Sequence, residues 1–209
     1  MNHQTTRFPD GFFDRQDESA DDRFYAIQRL VTHIDAGAIA AVGELYEELG
    51  LTDDNAQVLD ICSSWVSHLS SKPGRLSITG MNPIELSANA MADDWTVLDL
   101  NEQPGLPFDK ATFDAGCCCV SVDYLIEPVA VFKEMARVLR PGGVFVCTFS
   151  NRCFPSKAIR GWLEADDRSR CAIVAAYFSL TSEFDTPEVR HCNHGAVGDP
   201  LYAVWAKRR

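Results

Sequence analysis

The sequence has no run of about 18 apolar residues, the length that a membrane-spanning helix needs. Its first residues, MNHQTTRFPDGFF, lack the apolar segment that defines a signal peptide. We therefore expect a cytoplasmic protein without a membrane partner, whose 8 cysteines are reduced. Internal repeats, low-complexity segments and an evident linker are also missing, so we expect residues 1–209 to form a single domain.

Basic residues are scarce relative to acidic ones. The chain carries 30 Asp and Glu against 19 Lys and Arg, which gives a net charge of −11. A field of this sign repels phosphate backbones and anionic membranes, and no basic stripe runs through the sequence. These features disfavour a nucleic-acid partner and favour a small-molecule substrate, while they leave the oligomeric state open.

What the sequence does contain is an alternation of apolar strand-like segments and helix-like segments. The expected strands are residues 57–61, RLSITG at 75–80, WTVLDL at 95–100, FDAGCCCVSV at 113–122, VFVCTFS at 144–150, EVRHC at 188–192 and LYAVWAK at 201–207. Such alternation is typical of βαβ units with a parallel sheet that helices cover on both faces. We therefore predict an α/β fold with a mostly parallel sheet, closed by a hairpin that contains an antiparallel strand.

The N-terminal quarter of the chain divides into two parts. Residues 1–23 are first aromatic and then acidic, which predicts an irregular arm. The helical spacing of apolar residues from residue 24 to residue 50 predicts a capping helix region, so that residues 56–209 form the α/β core. In such a helix Tyr25, Arg29 and His33 share one face, since they are spaced at i, i+4 and i+8. That face either covers a pocket or is simply exposed.

The second half of the chain resembles a known family. The distinctive pieces are LPF at residues 106–108, FD at 113–114, and Glu134 followed by RVLRPGG at 137–143. In this order and spacing they resemble the class I S-adenosylmethionine-dependent methyltransferases, most closely the small type 11 branch, over about residues 56–150. The resemblance implies a Rossmann-like seven-stranded sheet with one antiparallel strand near the C-terminus, and S-adenosyl-L-methionine as cofactor. It also places ligands at the carboxyl ends of the parallel strands.

The resemblance identifies candidate cofactor-binding residues one by one. Asp60 corresponds to the acid that ends the first strand, and Asp99 to the acid near the end of the third strand. Leu100 follows Asp99 and offers a backbone N–H. The remaining expected cofactor-binding residues are Cys62, Ser63, Ser64, Gly80, Met81, Asn82 and Val120.

The glycine-rich loop of the family is degenerate in this sequence. Cys62, Ser64 and Val66 stand where its three glycines would be, and a short helix is expected over residues 64–70. Glycine is used at such places because the backbone approaches the ligand closely and adopts unusual angles, which a β-branched valine tolerates poorly. Trp65 either stacks on a ligand or fills the space that the ligand would occupy.

The acid that binds the ribose is also missing. Gly80 stands at or near its position at the end of the second strand. Asn82 either replaces it with a neutral amide or caps the following helix, while Glu85 is expected to face away from the site. The loss of a charged hydrogen bond costs about 1.5–3 kcal/mol. We therefore expect a weakened cofactor site rather than an abolished one.

The acceptor is expected near the ends of the fourth and fifth strands. Ser121 and Asn151 follow these strands, and with Tyr25 and Arg29 they are the candidate substrate-binding residues. Methyl transfer needs alignment and exclusion of water more than a dedicated catalytic group, so the catalytic residue is left open, with His33 and Tyr124 as candidates. Three consecutive thiols at residues 117–119 alternate between the faces of a strand and cannot converge on one ion, so no metal is expected.

Two functions remain open at this point. The first is a methyltransferase that transfers a methyl group to a small-molecule acceptor. The second is a catalytically inactive methyltransferase-fold protein that serves as a binding or scaffold protein and has a closed or altered cofactor pocket. The paired acids and the intact second half favour the first, whereas CSSWVS at residues 62–67 and Gly80 favour the second.

Overall fold

The computed structural model describes residues 8–209, so residues 1–7 of the expected N-terminal arm lie outside the described residues. The helices are α1 (Asp21–Tyr25), α2 (Ala36–Glu48), α3 (Pro83–Ser87), α4 (Pro128–Val138), α5 (Arg160–Leu163) and α6 (Asp167–Thr181). The strands are β1 (Gln57–Asp60), β2 (Arg75–Gly80), β3 (Asp94–Val97), β4 (Phe113–Cys119), β5 (Leu139–Phe149), β6 (Glu188–His191) and β7 (Tyr202–Lys207). No helix in residues 8–209 is both long enough and apolar enough to cross a bilayer.

All seven strands form one sheet in the order β3-β2-β1-β4-β5-β7-β6. The pairs formed by β1 to β5 are parallel, and β7 is antiparallel to both of its neighbours. The predicted α/β fold, with its mostly parallel sheet and one antiparallel strand near the C-terminus, is therefore confirmed. The strand order reverses at β1, which lies between β2 and β4. In open α/β sheets, ligands bind at the carboxyl ends of the strands at such a point.

Hydrophobic side chains pack on both faces of the sheet. Successive residues of β5 point in opposite directions, so Phe145 lies in one cluster with α4 and α6, and Val146 lies in another with α2. Gly116 allows α4 to approach β4 closely, because a Cβ there would lie 2.2 Å from Cε of Met135. The fully buried faces of α4 and of the central strands therefore hold the carboxyl ends of β1 and β4 in a fixed position.

The helix expected over residues 24–50 is interrupted, which corrects the prediction for this region. Residues 26–35 are not helical, and α2 begins only after Asp35, whose side chain accepts the Ala38 N–H at 2.8 Å. Backbone groups of Tyr25 and of the interrupted segment bond to side chains of the core. Asn82 donates to the Tyr25 carbonyl at 2.8 Å, and the Arg29 N–H donates to Glu85 at 2.6 Å. Distant partners thus outweigh the helical pattern here.

The described part of the N-terminal arm, residues 8–23, packs against the core. The Phe8 ring lies 5.7 Å from that of Tyr177, and Phe12 covers Gly161, where a Cβ would lie 2.1 Å from a ring carbon. The fully buried Lys157 ammonium lies 3.0 Å from Asp21 and binds the carbonyls of residues 17 and 19. Apolar packing and a buried ion pair thus fix the arm and the start of α1 in place.

Candidate functional site

A cavity of about 420 Å³ opens at the carboxyl ends of β1, β2 and β4, where the strand order reverses. Its volume lies within the range of about 300–1,000 Å³ that is typical of small-molecule sites. It brings together every site residue expected from the sequence: Tyr25, Arg29, His33, Asp60, Cys62, Ser63, Ser64, Gly80, Met81, Asn82, Asp99, Leu100, Val120, Ser121, Tyr124 and Asn151. The roles expected for these residues stay predictions.

Asp60 lies at the end of β1 and is 2% exposed. The Ser63 hydroxyl donates to its Oδ2 at 2.6 Å, whereas Oδ1 has no hydrogen-bond partner within residues 8–209. Burial raises the pKa of the Asp60 carboxyl to about 6, although the hydrogen bond from Ser63 opposes this shift. A buried carboxylate oxygen without a partner is costly, and a ligand donor that reaches Oδ1 would relieve this cost.

The loop after β1 rests directly on the end of β2. The Ser63 N–H donates to the Thr79 carbonyl at 2.7 Å, and a Cβ on Gly80 would lie 2.2 Å from the Ser63 carbonyl oxygen. A side chain at residue 80, where the resemblance places the ribose-binding acid, would therefore overlap the loop after β1. The position of this loop requires glycine at residue 80.

The degenerate loop differs from the sequence prediction in two details. No helix forms over residues 64–70, because the Asn89 amide bonds to the Ser64 carbonyl and the Ser67 hydroxyl, and His68 takes a left-handed conformation with φ +54°. Cys62, at the first glycine position, has φ +54° as well, whereas Val66 is not among the residues with positive φ. Cys62, which the resemblance places at the first glycine position, thus adopts the left-handed conformation that glycine adopts most easily.

Glu85 lies in the pocket wall, so the expectation that it faces away was wrong. Its carboxylate is buried and accepts the Arg29 N–H at 2.6 Å through Oε1 and the Ser64 hydroxyl at 2.6 Å through Oε2. The sequence already indicated this direction of the Glu85 side chain. Glu85 is the third residue of α3, and helical side chains point back toward the helix N-terminus. A carboxylate therefore stands near the ends of β1 and β2 after all.

Asn82 caps α3, which confirms one of its two interpretations. Its Oδ1 accepts the Ile84 and Glu85 N–H groups at 2.9 and 3.2 Å, and its Nδ2 donates to the Tyr25 carbonyl. Both ends of the amide are thus engaged. We no longer expect Asn82 to replace the missing ribose acid, although it still lines the pocket.

Asp99 follows β3 and is half-buried in the pocket wall. Its Oδ1 accepts the Asn101 N–H at 2.9 Å. This bond closes a local turn and fixes the direction of the carboxylate. Leu100 is buried beside it. Asp60 and Asp99 therefore belong to the wall of the same cavity, as the resemblance implies for the two family acids.

Trp65 does not close the pocket. Its side chain is half-buried, and the indole N–H donates to the Val31 carbonyl at 3.1 Å. The indole thus forms part of the wall and ties the loop after β1 to residues 26–35, while the cavity beside it stays open. The interpretation of Trp65 as a plug is therefore wrong.

The two candidate catalytic residues meet at Phe154. The His33 ring is packed edge-on against the Phe154 ring at 5.2 Å, and the Tyr124 hydroxyl accepts the Phe154 N–H at 2.8 Å. The pKa of His33 is lowered, chiefly because the surrounding protein displaces water from part of the ring. Burial raises the pKa of Tyr124 well above its usual value, so its hydroxyl keeps its proton at neutral pH. Of the two, His33 is the better proton acceptor.

Comparison with known proteins identifies the class of this fold. Residues 82–147 match the model of a family described as a methyltransferase domain. A SAM-dependent methyltransferase from Aquifex aeolicus is structurally similar, with a TM-score of 0.59 and 13% sequence identity over 83% of this chain and 92% of that chain. Geranyl diphosphate C-methyltransferase from Streptomyces coelicolor A3(2), solved with Mg²⁺, geranyl diphosphate and S-adenosyl-L-homocysteine, is similar with a TM-score of 0.56 and 12% identity over 90% and 97% of the two chains.

The same fold is also found in a protein with another activity. The [4+2]-cyclase SpnF is similar with a TM-score of 0.52 and 15% identity over 80% of each chain. No curated protein sequence matches the chain. The fold is that of the class I S-adenosylmethionine-dependent methyltransferases. The resemblance to these enzymes and to their type 11 branch is confirmed by the family match over residues 82–147 together with this fold.

Proposed function

We propose that the protein is an S-adenosylmethionine-dependent methyltransferase that acts on a small-molecule acceptor. The observation that carries the proposal is the open cavity at the ends of β1 and β2, with Asp60 among its lining residues and the Oδ1 of that carboxyl buried without a partner in the described residues. An orphaned, buried acceptor atom fits a ligand that brings an N–H or O–H group, such as the ammonium or ribose hydroxyls of the cofactor.

Three carboxylates of this chain are suited to hold the cofactor. Asp60 and Asp99 occupy the two positions that the family uses, and Glu85 supplies a third negative charge beside the loop after β1. When bound, the cofactor supplies a methyl group that is already activated on a sulfonium. The protein has to orient the acceptor and exclude water, and Arg29, Val31 and His33 of the segment 26–35 line the cavity where they can contribute to both.

His33 accepts the proton of the acceptor where the transfer requires its removal. Its lowered pKa keeps the imidazole neutral at pH 7, and it lines the pocket beside Arg29. We do not assign this step to Tyr124, since its raised pKa makes its phenolate scarce and its oxygen already accepts the Phe154 N–H. The small-molecule class of the acceptor is supported by the size of the cavity and by the net charge of −11, which disfavours nucleic acid.

Calorimetric titration of the full chain with S-adenosyl-L-methionine and S-adenosyl-L-homocysteine tests the proposal. Saturable binding is expected for both, with affinity about ten- to a hundredfold weaker in Asp60→Asn and Asp99→Asn. Asp185→Asn is the matched control, because that carboxylate is 61% exposed and paired only with the surface residue Arg209. An absence of heat and of any thermal shift at millimolar ligand would remove the enzymatic proposal.

The second candidate is a non-catalytic protein of the same fold, and one specific observation favours it. The Ser63 carbonyl occupies the place of a side chain at Gly80, so the usual ribose-binding acid cannot be present. In that case the cavity binds another small molecule and the cofactor does not stabilise the protein. A cytoplasmic location, with the 8 thiols reduced, is proposed from the composition for either function.

A further inference from the structure

Arg29 lines one end of the cavity and is surrounded by three aromatic rings, of which those of Tyr25 and Phe154 also line the cavity. The Arg29 guanidinium carbon lies 4.5 Å from the centre of the Phe24 ring and 5.4 Å from the centre of the Phe154 ring. Tyr25 is the third ring, at 5.9 Å. Rings at these distances stabilise the cation and hold its plane in a fixed orientation.

The charge of Arg29 is not neutralised by a carboxylate. Its guanidinium donates to the backbone carbonyls of Phe24 at 2.9 Å and Ile27 at 3.2 Å, and it forms no ion pair within the described part of the chain. A guanidinium has five N–H donors, so these two bonds leave donors for a ligand. Asp21, which lines the same cavity, does not compete for Arg29, because Arg15 and Lys157 already bind it at 2.8 and 3.0 Å.

Both signs of charge occur within one cavity. The carboxylates of Asp60 and Asp99 lie at the ends of β1 and β3 and that of Glu85 accepts the Arg29 backbone N–H, whereas the Arg29 guanidinium lies against Phe154. Arg152 also lines the cavity, is exposed, and precedes Phe154 by two residues. A ligand that spans the cavity thus meets the carboxylates of Asp60 and Asp99 as well as a guanidinium with aromatic surface.

We propose that Arg29, flanked by Phe24 and Phe154, binds the carboxylate of an acceptor that has an apolar, ring-sized body. Phe154 and Tyr25, which line the cavity, provide apolar surface for that body, and the guanidinium donors that are not bound to the Phe24 and Ile27 carbonyls provide charge-assisted hydrogen bonds for the anion. That the anion belongs to an acceptor rests on the proposed function, whereas the presence of an anion site in the cavity does not.

Benzoate and its neutral isostere benzamide are suitable probes, with binding followed by saturation-transfer NMR and calorimetry on the full chain. Benzoate is expected to bind the wild-type protein at least about tenfold more tightly than benzamide. Arg29→Gln is expected to weaken benzoate binding by about ten- to a hundredfold and to leave benzamide unchanged. Arg168→Gln, at an exposed arginine of α6 outside the cavity, is the control and should bind benzoate like the wild type.

A second pair of ligands distinguishes the acceptor from the cofactor as the source of the anion. S-adenosyl-L-homocysteine carries a carboxylate, and methylthioadenosine lacks it. If Arg29→Gln weakens only S-adenosyl-L-homocysteine and leaves benzoate unchanged, Arg29 serves the cofactor and the acceptor assignment is overturned. If the wild type binds benzoate but neither nucleoside, the anion site stands and the methyltransferase proposal fails.

The guanidinium also holds two backbone carbonyls, so Arg29→Gln could lower stability. Two measurements therefore do not require the Arg29→Gln variant to be stable. One is benzoate binding to Arg29→Lys, which keeps the charge, and the other is the comparison of benzoate with benzamide on the wild-type protein. Equal affinity of the wild-type protein for the two probes, or unchanged benzoate binding in folded Arg29→Gln, would overturn the proposal.

Discussion

Ser63 and Gly80 are in direct backbone contact, since a Cβ on Gly80 would lie 2.2 Å from the Ser63 carbonyl oxygen. This contact joins the loop after β1 to the end of β2, the elements to which the resemblance assigns the glycine-rich loop and the ribose-binding acid. A side chain at residue 80 is not compatible with the present position of the loop. A single substitution toward the family pattern is therefore not expected to restore the usual site.

Gly80→Ala should destabilise the protein by about 1–3 kcal/mol, because the added methyl group overlaps the Ser63 carbonyl and either the loop after β1 or the end of β2 must shift. Gly80→Asp should cost at least as much and should not improve cofactor binding. The matched control is Gly105→Ala, because nothing lies within 4 Å of a Cβ at that position. Urea unfolding of the three variants checks this, and equal midpoints for Gly80→Ala and Gly105→Ala would contradict the contact.

Asp60→Asn should stabilise the free protein at pH 8 while it weakens the cofactor site. Burial raises the pKa of Asp60 to about 6 from 3.8, so the folded state holds a proton that the unfolded state releases between these values. Wild-type stability should therefore fall as pH rises from about 4 to about 6, by on the order of 1–3 kcal/mol, and then level off.

The asparagine variant lacks this titration, so the difference in unfolding free energy between Asp60→Asn and the wild type should grow over that pH window. Chemical denaturation at pH 4, 5, 6 and 8 measures it. Parallel pH profiles of the two proteins would show that Asp60 does not titrate as a buried carboxyl.

Lys157→Ala should destabilise the protein by about 3–5 kcal/mol and release the N-terminal arm. The ammonium is fully buried between Asp21 and Asp17, and its removal leaves the buried Asp21 with one cation fewer. Lys72→Ala is the control, because Lys72 is 46% exposed in its pair with Asp93. This substitution should lower the free energy of unfolding by less than about 1 kcal/mol. Unfolding measurements combined with limited proteolysis of the arm check both parts, and a resistant arm in Lys157→Ala would count against the anchoring role.

Glu85→Gln should loosen residues 26–35 and weaken S-adenosyl-L-homocysteine by about ten- to a hundredfold. Its carboxylate joins this segment, through the Arg29 N–H, to the loop after β1, through the Ser64 hydroxyl. Glu48→Gln is the control, since Glu48 is 55% exposed and paired with Arg190 outside the cavity. Hydrogen exchange should increase over residues 26–35 only in Glu85→Gln, and unchanged protection there would refute the linkage.

The sequence alone was sufficient for the architecture and for the place of the pocket. Periodicity and turn residues determine the order of strands and helices, because these signals act over a few neighbouring residues. The positions of Asp60 and Asp99 follow from the same order, since each acid comes at or just after the carboxyl end of a parallel strand. Even the unfamiliar loop at residues 62–67 was recognisable as a departure from the glycine-rich pattern.

Only the tertiary structure decided how that departure is accommodated and what surrounds the pocket. The break at residues 26–35 and the place of Trp65 each depend on bonds between distant residues, such as the bond of the Arg29 N–H to Glu85, 56 positions away. Helical spacing predicted one continuous helix there because it registers local preference alone. The backbone groups of residues 26–35 found partners on the core instead, and no pattern within the segment specifies partners that lie elsewhere in the chain.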